Sequence, residues 1–223
     1  MSRLFVTSSG TEIGKTFVTC ALVHQLRAAG RSVAALKPVA SGFDEQAVAA
    51  SDTCELLSAL DRPPNVENID AISPWRFAEP LSPDMAAARE GRAIPFDELV
   101  AFCEERSKDG ITLIEGIGGV MVPLDKTHTV LDWIAALETP VLLIVGGYLG
   151  TLSHTLTAHE ALRARGLNLA GIVVDESPEQ PVPLEETAAA IRRFVEATPV
   201  VTLPRLSNYR EAPNLLPLVE PLL

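Results

Sequence analysis

Cysteine is sparse in this sequence: Cys20, Cys54 and Cys103 stand far apart, odd in number and without metal-ligand spacing. That argues against a disulfide framework and a zinc site, and predicts reduced, mostly buried thiols. Basic residues are in deficit, 18 Lys and Arg against 29 Asp and Glu, for a net charge of -11, and they form no run. A broad nucleic-acid surface, which sets clustered Lys and Arg against phosphates, is therefore not expected. No apolar run approaches the ~18 residues that a membrane helix requires. The opening MSRLFVTSSG enters a strand pattern directly. No secretory signal is expected, and the expected compartment is the cytoplasm. Internal repeats and low-complexity tracts are also missing.

What is present is the composition of an ordinary globular protein, 47 % apolar and 21 % charged over 223 residues. A chain of this length can bury one large core, and we expect a single domain over residues 1–223. Short apolar runs at 4–6, 33–36, 111–114, 141–145, 169–174 and 200–203 are too continuous for strands with one face in water. Between them, helical periodicity covers 16–29 (stopping at Gly30), 51–60, 96–107, 129–137, 152–165 and 184–197. This alternation predicts an α/β fold, a single doubly wound parallel β-sheet with helices on both faces, of P-loop NTPase type. Residues 61–83 break the rhythm with five prolines, yet carry Trp75 and Phe77. They are expected to form an ordered excursion within the domain. The last dozen residues hold three prolines, enough only for a short irregular docking segment.

The strongest chemical signal is Ser8-Ser9-Gly10-Thr11-Glu12-Ile13-Gly14-Lys15-Thr16, between the first strand and the first helix. Backbone N–H groups of such a loop, backed by a helix N-terminus, cradle a di- or triphosphate. Lys15 would reach the β/γ oxygens and Thr16 would ligate Mg²⁺. The loop departs from G-x-x-x-x-G-K-[ST] at its first position, which is Ser9. On the tripeptide Gly-Lys-Thr alone, a tight strand-to-helix turn explains the sequence as well. Its place after the first strand favours the phosphate loop.

Residues 111–115 end a buried strand in Glu115, followed by Gly116-Ile117-Gly118-Gly119. A carboxylate at that sheet edge can hold Mg²⁺ directly or through water, although a lone one is more often solvated. Asp52 opens a helix, where a cap or dipole role would suffice. Lys37-Pro38 closes the second strand beside the small residues Val39-Ala40-Ser41-Gly42. Lys15 and Lys37 would then face one crevice, a pair suited to an anion that gains charge during reaction.

Taken in order, Thr11-Glu12-x-Gly14-Lys15-Thr16, Lys37-Pro38-Val39-x-Ser41-Gly42, Ser51-Asp52, Phe77-Ala78-Glu79-Pro80-x-Ser82-Pro83, Glu115-Gly116-x-Gly118-Gly119 and Asp132-Trp133 resemble the dethiobiotin synthetase family. The second and fourth segments are the most particular. The resemblance implies an ATP- and Mg²⁺-dependent cyclo-ligase that closes a cyclic urea on 7,8-diaminononanoate with CO₂, through a carbamate and a carbamic–phosphoric anhydride. It implies catalytic roles for Lys37 and Lys15, and Mg²⁺ held by Thr16, Asp52 and Glu115. Nucleotide contacts are implied for Glu12, Ile13, Gly14, Phe17, Gly116, Ile117 and Gly118, and for Asp175, Glu176, Pro204, Arg205, Leu206 and Glu211 around the base and ribose. Substrate contacts are implied for Thr11, Lys37, Ser41 and Gly118. In the family's homodimer, the segment matching Gly150, Thr151, Leu152 and Ser153 binds the substrate carboxylate across the interface. The chain departs from the family at Ser8, where glycine is usual, and at Asp175, where an adenine-reading asparagine is usual. Acceptance of GTP or CTP beside ATP is expected from the second departure.

Three other readings compete. Partitioning and metal-cluster ATPases carry a second lysine five residues before the loop lysine; Gly10 stands there. A related amidoligase would need a glutamine-hydrolysing domain, for which 223 residues leave no room. A catalytically idle module on the same fold would have no use for Lys37, Asp52 and Glu115 together.

Overall fold

A computed structural model describes residues 2–107, 110–195 and 197–222 of the chain. Six parallel strands form its main sheet: β1 (Ser2–Ser8), β2 (Val33–Leu36), β5 (Ile111–Glu115), β6 (Val141–Gly146), β7 (Leu169–Asp175) and β8 (Val200–Leu203). Their order is β2-β5-β1-β6-β7-β8. Register is set along the buried runs, Phe5 lying opposite Ile114 of β5 and Val141 of β6. β5 and β6 are buried at every position, as their unbroken apolar sequence requires.

Handedness assigns the helices to faces. The chain leaves β1 through α1 (Lys15–Ala28) and reaches β2 in one direction along the sheet. It then travels the other way, through α5 (Phe96–Arg106), α6 (Val130–Leu137), α7 (Thr151–Ala164) and α8 (Leu184–Arg192). Right-handed crossovers running in opposite directions put α1 on one face and α5 to α8 on the other. The neighbours β1 and β5 send their connections to opposite faces, so the crevice above their C-terminal ends is the switch point where ligands bind in such sheets. Phe5 meets Trp133 of α6 edge-on, ring centroids 4.8 Å apart, and pins that second layer to the middle strand.

The excursion is more structured than its prolines suggest. It contains α3 (Val66–Ile72), the short strand β4 (Trp75–Phe77) and the start of α4 (Pro83–Arg89). β4 pairs in parallel with β3 (Val39–Ser41), the segment just after Lys37, so a second small sheet stands beside the first. Between β3 and α3, α2 (Asp52–Ala59) is capped by Ser51, whose Oγ accepts from the Cys54 N–H. Helix boundaries otherwise fall within a residue of expectation, except that α8 stops at Arg192 so that the chain can turn through Pro199 into β8. The longer helix expected there crosses Glu196, outside the described residues. The terminal residues dock in two short turns, with Leu215, Leu218 and Val219 buried, and Gln25 of α1 accepts from the Leu215 N–H. No helix among the described residues is long and apolar enough to cross a membrane. All three cysteines are free, Cys20 and Cys103 buried and Cys54 half-buried.

Candidate active site

The phosphate loop enters α1 through backbone that few residues adopt. Gly14, the residue before α1, has φ 85°, and a Cβ there would collide with the Asp175 carboxylate, so only glycine fits. Glu12 also has a positive φ, 56°. Past Gly14 the first turn of α1 opens into a cleft of about 840 Å³. Its lining includes Thr11 to Phe17 from the loop, Lys37, Ser41 and Phe43 beyond β2, Asp52 and Glu55 of α2, Pro80 to Pro83 of the excursion, and Ile117 and Gly118 after β5.

At the floor lies a charge cluster, with Lys37 and Glu115 buried and Asp52 about half exposed. The Lys37 ammonium is 3 % exposed, donates to Glu115 Oε1 at 2.6 Å and to Gly116 O at 3.2 Å, and forms an ion pair with Asp52 Oδ2 at 3.0 Å. Two of its three donors are thus held by hydrogen bonds, and the third side faces a carboxylate. Thr16 Oγ1 donates to the same Glu115 Oε1 at 2.7 Å. Burial alone would lower the Lys37 pKa, but Glu115 and Asp52 outweigh it and hold the ammonium charged well above its ordinary range. Burial opposes the charge on Asp52, and Lys37 outweighs that too, keeping its carboxyl below its ordinary value. Lys15 lies nearby, its pKa brought down to about 8 by burial and by the charge of Lys37.

The second oxygen of Glu115 is buried and has no hydrogen-bond partner among the described residues. Such an orphan is costly unless something fills its place. Thr16, Asp52 and Glu115 offer only hard oxygen donors around it, which fits Mg²⁺ completed by water and phosphate oxygens. Among the described residues, no group of three or more His, Cys, Asp or Glu could hold a metal by itself.

Residues 2–212 match a family model described as an AAA domain. An ATP-dependent dethiobiotin synthetase BioD of Acidiphilium cryptum is 54 % identical over 202 residues, 89 % of this chain and 91 % of that one. Its namesake from Methylobacterium nodulans is 52 % identical over 200 residues, 86 % of this chain and 89 % of its own. The chain belongs to the dethiobiotin synthetase family. Among solved structures, the MinC:MinD cell division protein complex of Aquifex aeolicus aligns with a TM-score of 0.57 at 11 % identity, over 93 % of this chain and 82 % of the matched one. That likeness shows the P-loop fold alone.

Positions matched to the dethiobiotin synthetase family's sites fall into two sets. Thr11, Glu12, Ile13, Gly14, Lys15, Thr16, Phe17, Lys37, Ser41, Asp52, Ile117 and Gly118 line the cleft, and Glu115 and Gly116 lie at its floor. Gly150, Thr151, Leu152 and Ser153 do not line it. They form the exposed start of α7, with Thr151 turned inward to donate to Gly146 O at 2.6 Å. Asp175 closes β7 and presses on Gly14. Glu176 beside it accepts from the Arg205 N–H at 2.8 Å, while Pro204, Leu206 and Glu211 follow along the surface.

Sequence reading missed Glu55, Phe43 and the wall from Pro80 to Pro83. Glu55 could have been found, since three residues after Asp52 on a helix is the same face. The Pro80–Pro83 wall carried much of the resemblance without being assigned to the site.

Proposed function

We propose that this chain, as one domain, carries out the reaction for which its relatives are named: ATP-dependent closure of a cyclic urea on 7,8-diaminononanoate with CO₂. The observation that carries the reading is the convergence of Lys15 and Lys37 on one cleft above the Thr16–Asp52–Glu115 oxygens. One amine adds to CO₂ and loses a proton, giving a carbamate. A carbamate oxygen attacks the γ-phosphorus, ADP leaves, and a carbamic–phosphoric anhydride forms. The second amine attacks the carbonyl carbon, phosphate leaves with its bonding pair, a proton is lost, and the ring closes. Positioning and charge neutralisation supply most of the catalysis.

The backbone N–H groups at Gly14 and the start of α1 cradle the phosphates, with Lys15 at the β/γ oxygens. Thr16, Asp52 and Glu115 would hold Mg²⁺, which would supply neutralisation of charge on the transferring group. Lys37 stabilises the carbamate and the phosphoryl oxygens. Two of its donors are held by Glu115 Oε1 and Gly116 O, so it meets a substrate anion with the third, in place of its ion pair with Asp52. Thr11, Ser41 and Gly118 line the diamine.

The far end of the substrate is served from a second copy in a homodimer. Support comes from the α7 start, which lies off its own cleft with Leu149 87 % and Leu152 41 % exposed. Free N–H groups at a helix start suit a carboxylate. Asp175, Glu176, Pro204, Arg205, Leu206 and Glu211 surround base and ribose, and GTP or CTP is accepted beside ATP. The protein works in the cytoplasm without nucleic acid or membrane.

The test incubates the protein with diamine, bicarbonate, Mg²⁺ and ATP, and reads product by mass. Cyclic urea should form only when all are present. Full-rate ATP hydrolysis without diamine and bicarbonate would instead favour a switch-type ATPase.

A further inference from the structure

Ser8 stands at the end of β1 where the family usually has glycine, and its side chain is fully buried. Its hydroxyl oxygen lies 3.1 Å from Lys15 Nζ, 2.8 Å from Gly118 O and 2.5 Å from Gly10 O. A hydroxyl has one hydrogen, so it can serve only one of those carbonyls at a time. Lys15 also donates to Gly10 O, at 3.3 Å. One assignment satisfies every group: Lys15 donates to Ser8 Oγ and to Gly10 O, and Ser8 gives its hydrogen to Gly118 O.

Moving Lys15 onto a phosphate changes this arrangement. Gly10 O then loses its donor, and the Ser8 hydroxyl stands 2.5 Å from it. Turning the hydrogen to Gly10 O leaves Gly118 O unpaired. Gly118 is held in the left-handed region, φ 56°, and its space lies against Thr11 Oγ1 and Val122 in the substrate half of the cleft. The same loop is tied to the strand end by the Val120 N–H donating to Ser8 O at 3.0 Å. Gly119 packs directly on Ser9 and Gly10, where a side chain would crowd the backbone at 3.3 Å. The two loops therefore meet at Ser8.

We propose that Ser8 is a positioning residue whose hydroxyl couples phosphate engagement by Lys15 to the Gly118 loop, so that nucleotide and diamine affinities depend on each other. Such coupling is reciprocal, and a single shared hydrogen bond supports a factor of about five or more. The proposal rests on the cleft binding both ligands, as proposed above. It is tested by calorimetric titration of the diamine with and without a non-hydrolysable ATP analogue and Mg²⁺. The titration is run on the wild type and on Ser8→Ala, Ser8→Gly and Ser8→Thr, each first checked for folding by its melting temperature.

In the wild type the analogue should change diamine affinity about fivefold or more. In Ser8→Ala and Ser8→Gly the factor should fall below about two, while Ser8→Thr, which keeps the hydroxyl, should restore it. A merely structural role for Ser8 would lower stability without removing the dependence of one ligand on the other. Folded Ser8→Ala and Ser8→Gly proteins with the wild-type coupling factor would overturn the proposal, as would a wild type that binds both ligands independently. A wild type that binds no diamine at all would overturn the functional reading first.

Discussion

At the floor of the cleft, Lys37 and Glu115 pair out of water, joined by Thr16 and by Asp52 from the more exposed start of α2, all within one chain. At the rim, the first turn of α7 and the segment after β8 present Ser153, Pro204, Arg205 and Glu211 to solvent. The difference follows from what each end must hold. A transferring phosphoryl group needs fixed charges in a dry setting, where they are strong and need not reorganise. A substrate carboxylate and a nucleobase need only a few directional contacts, which a second copy or a surface loop can supply. The two ends should therefore respond differently to substitution.

Glu115→Ala should have the largest effect, because it breaks the inner end. Lys37 would keep Asp52 and Gly116 O but lose its shortest partner while remaining buried. Removing one partner of a buried ion pair costs about 3–5 kcal/mol. A urea melt should show that loss, and the double variant Lys37→Met/Glu115→Ala should recover part of it, since no uncompensated ammonium remains. Equal stability for Glu115→Ala and wild type would mean that the cluster is wetter than its geometry indicates.

Lys37→Ala leaves the buried Glu115 carboxylate without its cation and so also lowers stability, but its distinguishing effect should be on chemistry. Turnover should fall about 10²–10³-fold with ATP affinity within a few-fold, the pattern of a group acting on the transition state. A matching rise in KM for ATP with kcat retained would place Lys37 in nucleotide binding instead. Combined with a Ser153 variant, it also tests the rim. Mixing Lys37→Ala protein with Ser153→Asp protein should restore part of the activity of either parent, because one hybrid site draws both intact elements from different chains. No recovery on mixing, or full activity in a sedimenting monomer, would leave the α7 start without its proposed role.

The inner end was also the more legible in sequence. Gly14-Lys15-Thr16, Lys37 and Glu115 were readable because each terminates or follows a buried run, and the end of a parallel strand fixes where a residue sits. Six of the eight strands announced themselves through continuous apolar sequence. β3 and β4 did not, because three residues are too few for any period to register. α3 and α4 were hidden among the prolines that frame them, although Pro83 opens α4 where a missing N–H costs nothing. The pairing of Lys37 with both Asp52 and Glu115 joins residues from three separate elements, which no local pattern encodes. Ser8 was visible as a departure from the family, but its contact with Gly118 O joins two loops that meet only in the fold.

The smallest expected effect lies at the rim, in the choice of base. Asp175 presses on Gly14, and burial raises its carboxyl to a pKa of about 6; Arg205 partly offsets the shift and Glu176 adds to it. Above that pH the ionised group can only accept hydrogen bonds. It takes the exocyclic amine of adenine but sets its second oxygen against a ring-nitrogen lone pair. Guanine offers two adjacent donors, a ring N–H and an NH₂, which a carboxylate accepts side by side. As pH falls through about 6 the carboxyl gains a proton, and then donates from one oxygen and accepts at the other, as the amide of asparagine does. The ratio of ATP to GTP turnover should accordingly rise on acidification, by about tenfold or less, since one base contact is worth roughly 1–3 kcal/mol. Asp175→Asn should favour ATP at every pH and flatten the profile. Measuring both nucleotides in parallel from pH 5 to pH 8 cancels titrations common to the two, including that of Lys15. A wild-type ratio that stays level across this range would remove Asp175 from the base site and leave it as a neighbour of Gly14 alone.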